Sequence, residues 1–138
     1  MAAGAGAGIR FKVTVDDSQV QRALGERRDR IRRTYTDPVR KAADDGKTYL
    51  QKYPPPRNLK RPRTGTLGRG WKYTTEVRGD EAEVKLTNPV PYSPYVQDDE
   101  RQRPYHRQTG WRTTGQAARR IEQRYRTHMR KVVTDAAR

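Results

Sequence analysis

The chain reads as an α+β fold: a small antiparallel sheet packed against a long N-terminal helical segment, with a C-terminal helix. Three observations predict it. Residues 9–15, "IRFKVTV", alternate strictly between apolar and polar. Two further alternating runs flank "RGDE" at 78–81, as in a hairpin. Apolar residues recur at helical spacing before the first proline cluster and again at the C-terminal end. Strands and helices are segregated along the chain, which points to an antiparallel sheet rather than a parallel one.

The elements follow in order. Residues 1–8, "MAAGAGAG", are small and uncharged. They lack the basic start and apolar stretch of a signal peptide and read as a flexible tail, leaving 9–138 as a single domain. In the first strand Ile9, Phe11, Val13 and Val15 share one face, and Arg10, Lys12 and Thr14 share the other. "DDS" at 16–18 supplies helix-cap chemistry, and Val20, Leu24, Ile31 and Tyr35 follow at helical spacing. "TDP" at 36–38 reads as a second helix start, with Asp37 as cap and Pro38 in the first turn. Val39, Ala42, Ala43, Gly46, Leu50 and Tyr53 then form a narrow stripe of mostly small residues, suited to close approach. "PPP" at 54–56 ends that helix, because proline has no amide hydrogen and clashes with the preceding turn.

A basic loop covers 54–66. After it Trp71, Tyr73, Thr75 and Val77 alternate along one arm of the hairpin, and Ala82, Val84 and Leu86 along the other. "NPVPYSPYV", 88–96, holds three prolines in nine residues and cannot be a regular central strand. Residues 97–113 are polar and irregular. A last helix spans about Thr114 to Ala136, with Ala118, Ile121, Tyr125, Met129, Val132 and Ala136 on one face. At about 1.5 Å per residue it is roughly 35 Å long.

Composition narrows the function. Among 138 residues, 31 are Lys or Arg and 16 are Asp or Glu, a formal net charge of +15. Such a charge needs an acidic counterpart, nucleic acid being the commonest. Cysteine is absent, which removes disulfides, thiolate metal sites and cysteine nucleophiles. No apolar run approaches the ~20 residues that cross a bilayer, so no membrane partner is expected.

The stretch "RPRTGTLGRGW", 61–71, invites comparison with a phosphate-binding loop. A P-loop, however, needs its Lys and Ser/Thr after the second glycine, between a strand and a helix, whereas this stretch leads into a strand. His106 and His128 have no partners at ligand spacing, and "QDDE" at 97–100 reads as a solvated acidic run. No catalytic residue, metal or cofactor is expected, and the chain does not read as an enzyme. Basic residues cluster instead. Arg57, Lys60, Arg61, Arg63, Arg69 and Lys72 lie in 57–72 without an acid, and 101–138 holds eleven basic residues against two acidic. Together with Arg119, Arg120 and Arg124 on the last helix, the loop bases suit a DNA path or a partner surface. No recognised nucleic-acid module is present. Trp71 and Tyr73 are either core or part of that surface.

The order of several short motifs carries a resemblance. Arg63-Thr64-Gly65-x-Leu67 follows a helix that ends in prolines and leads into a hairpin. Tyr92-x-x-Tyr95-Val96, Gln102, His106 and Gly110-Trp111 come next, then a C-terminal helix. Over roughly residues 36–133 this resembles the tail-completion and head–tail-joining proteins of tailed bacteriophages, including the minor tail protein Z-like group. Many members place a glycine shortly after the Tyr-Val segment, where this chain has Asp98-Asp99-Glu100. The resemblance implies a structural virion protein assembled in the host cytoplasm, forming a homo-oligomeric ring, hexameric by expectation, at the neck or head-proximal tail around the DNA channel. Its implied partners are connector or head-closure proteins and tail-tube or terminator proteins, with non-specific contact to packaged DNA. Alternatives are a tail-terminator-type subunit and a free basic nucleic-acid-binding protein. In this setting Thr64 and Gly65 make a turn that Leu67 anchors, glycine permitting a positive φ. Tyr92, Tyr95, His106 and Trp111 are interface candidates, since aromatic residues concentrate at interface cores. The alternative for Tyr92 and Tyr95 is a cap on the sheet core.

Overall fold

The computed structural model describes residues 8–16, 28–55, 64–78 and 81–136. The fold is α+β. Its elements are β1 (Ile9–Asp16), α1 (Arg28–Gln51), the single turn α2 (Thr66–Arg69), β2 (Lys72–Arg78), β3 (Glu81–Asn88), the short helices α3 (Ser93–Gln97) and α4 (Pro104–Gln108), and α5 (Thr114–Ala136). The sheet order is β1-β3-β2, and both pairings are antiparallel.

Register explains why one face of this sheet is apolar. Phe11 and Tyr73 flank Leu86, and Val13 and Thr75 flank Val84. Side chains alternate across a strand, so Arg10, Lys12, Lys72 and Lys85 fall on the opposite, exposed face. There Lys12 Nζ sits 3.7 Å from Glu83. The apolar face is covered by two long helices. α1 packs on β2 and β3, α5 packs on β1, and the helices pack on each other. The enclosed core holds Val13, Val39, Ala42, Ala43, Leu50, Trp71, Val84, Leu86, Ala117, Ile121, Tyr125 and Met129. The helices approach closely at Gly46, where a β-carbon would run into the Ile121 side chain.

Two expectations need correction. Pro38 does not open a new helix; it lies inside α1, which runs unbroken from Arg28. An interior proline costs roughly 3 kcal/mol through a lost hydrogen bond and a backbone clash. Here Pro38 is itself buried, beside Val39 at 1% exposure, so it adds to the packing that offsets that cost. On α5 the core row begins at Ala117, and Ala118 packs at its margin. That helix starts from a reciprocal cap, in which Gln116 N–H donates to Thr113 Oγ1 at 3.4 Å and Thr113 N–H donates to Gln116 Oε1 at 3.1 Å.

The tail at 1–7, Val20, Leu24 and the basic residues Arg57, Lys60, Arg61 and Arg63 lie outside the described residues. Among the described residues, no helix is long and apolar enough to cross a membrane.

Candidate functional site

The segment 64–70 begins with a turn that only glycine enters cheaply. Gly65 has φ 78°, in the left-handed region that penalises a β-carbon. From there the chain winds through α2 and then enters β2. Thr64-Gly65 therefore does make a turn, but the chain passes through one helical turn before the sheet. Leu67 is buried, as an anchor should be. Three side chains from other elements hold the segment. Asn88 Nδ2 donates to Leu67 O at 2.8 Å, Gln51 Nε2 donates to Gly68 O at 2.9 Å, and Tyr53 Oη accepts from Gly68 N–H at 2.7 Å. Arg69 Nη1 donates to Thr64 O at 2.9 Å and closes the turn from outside.

The segment from Asn88 to Trp111 is more ordered than its composition suggests. Pro94 and Pro104 each stand in the first turn of a short helix, where a missing amide hydrogen costs nothing. Asp98 organises the turn that follows α3. Its Oδ1 accepts from Glu100 N–H at 3.0 Å, its backbone O accepts from Gln102 N–H at 2.7 Å, and Arg101 Nε donates to its Oδ2 at 2.9 Å. Buried amides brace the rest. Gln97 Oε1 accepts from Trp71 Nε1 at 3.0 Å, while Gln97 Nε2 donates to Leu50 O at 2.9 Å and Arg112 O at 3.2 Å. Gln102 Nε2 donates to Val96 O at 2.8 Å and Trp111 O at 3.2 Å. One side chain, Gln97, thus joins the sheet entrance, the end of α1 and the approach to α5.

These two braced segments form the walls of an open cleft of about 350 Å³. It is lined by Thr64, Gly65, Thr66 and Leu67, by Tyr92, Tyr95 and Val96, and by Tyr53, His106 and Trp111. Tyr53 and Trp111 pack with ring centroids 4.9 Å apart, and the His106 ring meets Trp111 edge-on at 6.0 Å. Tyr92 and Tyr95 remain 47% and 45% exposed, so they do not cap the sheet core; Trp71 is the core aromatic, at 1%. The Arg103 guanidinium lies 5.0 Å from the centre of the Tyr95 ring. His106 Nδ1 is buried without a hydrogen-bond partner, and burial holds the imidazole pKa below its usual value. Among the described residues the cleft walls carry aromatic faces, hydroxyls and one imidazole, and no carboxylate. Such a surface can grip an apolar or aromatic side chain and fix it by hydrogen bonds.

The structure therefore brings together seven residues singled out from sequence: Thr64, Gly65, Leu67, Tyr92, Tyr95, His106 and Trp111. Of the helical arginines, Arg119 lines a second open pocket beside Trp111, shared with Asp99, Gln102 and Arg107. Arg119 faces outward on α5, whereas Arg120 Nε and Arg124 Nε lie 2.7 Å and 3.6 Å from Asp45 of α1. Both guanidinium groups share that carboxylate while their side chains remain partly exposed, at 37% and 46%. Sequence reasoning missed Asn88, Gln97 and Gln102, the braces, and Tyr53 as a wall. Compared with protein-family models, curated proteins and solved structures, the chain matches none.

Proposed function

We propose that this chain is a structural virion protein of a tailed bacteriophage that completes the tail and joins it to the head, and that the aromatic cleft is where it grips a neighbouring chain. One observation carries the reading. The two motif segments behind the family resemblance, Thr64-Gly65-x-Leu67 and Tyr92-x-x-Tyr95-Val96, lie far apart in sequence, yet they line one open cleft together with His106 and Trp111. Exposed tyrosines over a braced frame suit binding. They enlarge contact area with little side-chain entropy to lose. In this reading copies assemble as a ring at the neck, between connector or head-closure proteins and tail-tube or terminator proteins. A free nucleic-acid-binding protein would leave the cleft without a role.

The test is particle assembly. Tyr95→Ala and Trp111→Ala together should yield soluble, folded protein that fails to enter particles, leaving heads and tails unjoined. Tyr92→Ala and Tyr95→Ala, both exposed, repeat the test with little risk to folding. Joined, infectious particles built with either double variant would overturn the assignment of the cleft.

A further inference from the structure

We infer that the outward face of α5, through Arg119, Arg126 and Arg130, tracks the phosphate backbone of a nucleic-acid duplex. The inference does not require the virion reading. On a helix the 100° step per residue separates the cations of α5 into two groups. Arg120 and Arg124 turn towards α1 and share Asp45. Arg119, Arg126 and Arg130 lie on the side away from the buried row of Ala117, Ile121, Tyr125 and Met129, and all three are exposed. With Glu122, Gln123 and Thr127 they outline a shallow open groove of about 420 Å³.

The charge balance of that groove is positive. Arg119 and Arg130 form no ion pair among the described residues. Arg126 Nη2 lies 2.6 Å from Glu122, one turn back, but the two side chains are 62% and 42% exposed. A solvated pair of this kind is worth little and yields to a denser anion. The helix rise sets Arg119 and Arg126 about 10 Å apart along the axis, and Arg126 and Arg130 about 6 Å apart. A duplex carries a phosphate about every 3.4 Å per strand, so flexible arginines at these intervals each find one. Gln123 and Thr127 between them add uncharged hydrogen-bonding groups. An overall charge of +15 steers a polyanion to the molecule.

The experiment measures binding of the full chain to a short duplex DNA by fluorescence anisotropy across about 50–200 mM salt. The Arg119→Gln, Arg126→Gln, Arg130→Gln variant is compared with Arg10→Gln, Lys72→Gln, Lys85→Gln, which removes the same charge from the exposed sheet face. Each phosphate contact contributes about 0.9 to the slope of log affinity against log salt. The helix variant should therefore lose about 2–3 units of slope and at least about tenfold in affinity at low salt, while the sheet variant changes far less. Arg119→Gln alone should lose about one unit, which keeps the test valid if the triple variant melts early. Equal losses in the two triple variants would reduce the effect to net charge and overturn the inference. So would preferential binding of poly-glutamate over duplex, which would assign the face to an acidic protein.

Discussion

Gln97 ties three separate stretches of the described fold together through hydrogen bonds. Gln97→Leu keeps the approximate volume and removes every polar atom. Three groups then lose a partner: the indole N–H of Trp71, the carbonyl of Leu50 and the carbonyl of Arg112. Trp71 and Leu50 are 1% and 0% exposed, so no water replaces the lost bonds at those two. An unsatisfied buried group costs roughly 1–3 kcal/mol, and the part-buried Arg112 carbonyl falls at the low end. The added apolar surface returns about 1–2 kcal/mol. The net loss should be about 2–5 kcal/mol, a large share of a domain's usual 5–15 kcal/mol. Urea unfolding followed by far-UV circular dichroism and tryptophan fluorescence reads it directly. Gln97→Glu, which keeps an acceptor but loses the donor and buries a charge, should cost at least as much at neutral pH. A Gln97→Leu protein within about 0.5 kcal/mol of the parent would refute the bracing argument.

Two further outcomes follow from the same structure. Gly65→Val should cost about 1–3 kcal/mol, because a β-branched residue is strained at φ 78° and its β-carbon would also crowd the Arg69 guanidinium; a thermal melt unchanged from the parent would exclude that strain. The protein should lose stability as pH falls below about 6.5. Burial is the first cause that lowers the pKa of both His106 and His128, and Lys41, Arg124 and Lys131 lower that of His128 further against the opposing pull of Asp45. The folded state therefore binds fewer protons than the unfolded chain in that window, and the contribution is complete only above the unfolded value. The His106→Gln, His128→Gln variant should flatten the urea midpoint between pH 7.5 and 5.5; an unchanged slope would count against this cause.

The parts of the fold that repeat were legible in the sequence. β1 declared itself through Ile9, Phe11, Val13 and Val15, because a one-sided sheet forces alternation. α5 declared itself because a long helix against a core needs a continuous stripe. Gly46 was legible as a close-approach residue, though its partner Ile121 was not. α3 and α4 were hidden because five residues are too few to show a period. Gln97 and Gln102 were hidden for a different reason. A glutamine in a polar loop looks the same whether water or a buried carbonyl satisfies it, and only tertiary structure decides. The cleft was half visible: its aromatic residues were singled out, but nothing local indicated that Tyr92 and Tyr95 would line one cleft with Thr64–Leu67.

The pairing of β1 with β3 sets when this protein can fold during its own synthesis. Ile9 pairs with Asn88, 79 positions later, and the middle strand of the sheet is the last of the three to be made. Among the described residues neither outer strand has a sheet neighbour until β3 has left the ribosome, and α5, the long helix that packs on α1, follows later still. At about 5–20 residues per second, the apolar side of β1 waits several seconds for its partner. Long-range closure of this kind slows folding and leaves the growing chain open to wrong contacts. Among the described residues the sheet closes only when β3 is made, and the helix pair that covers it is complete only with α5.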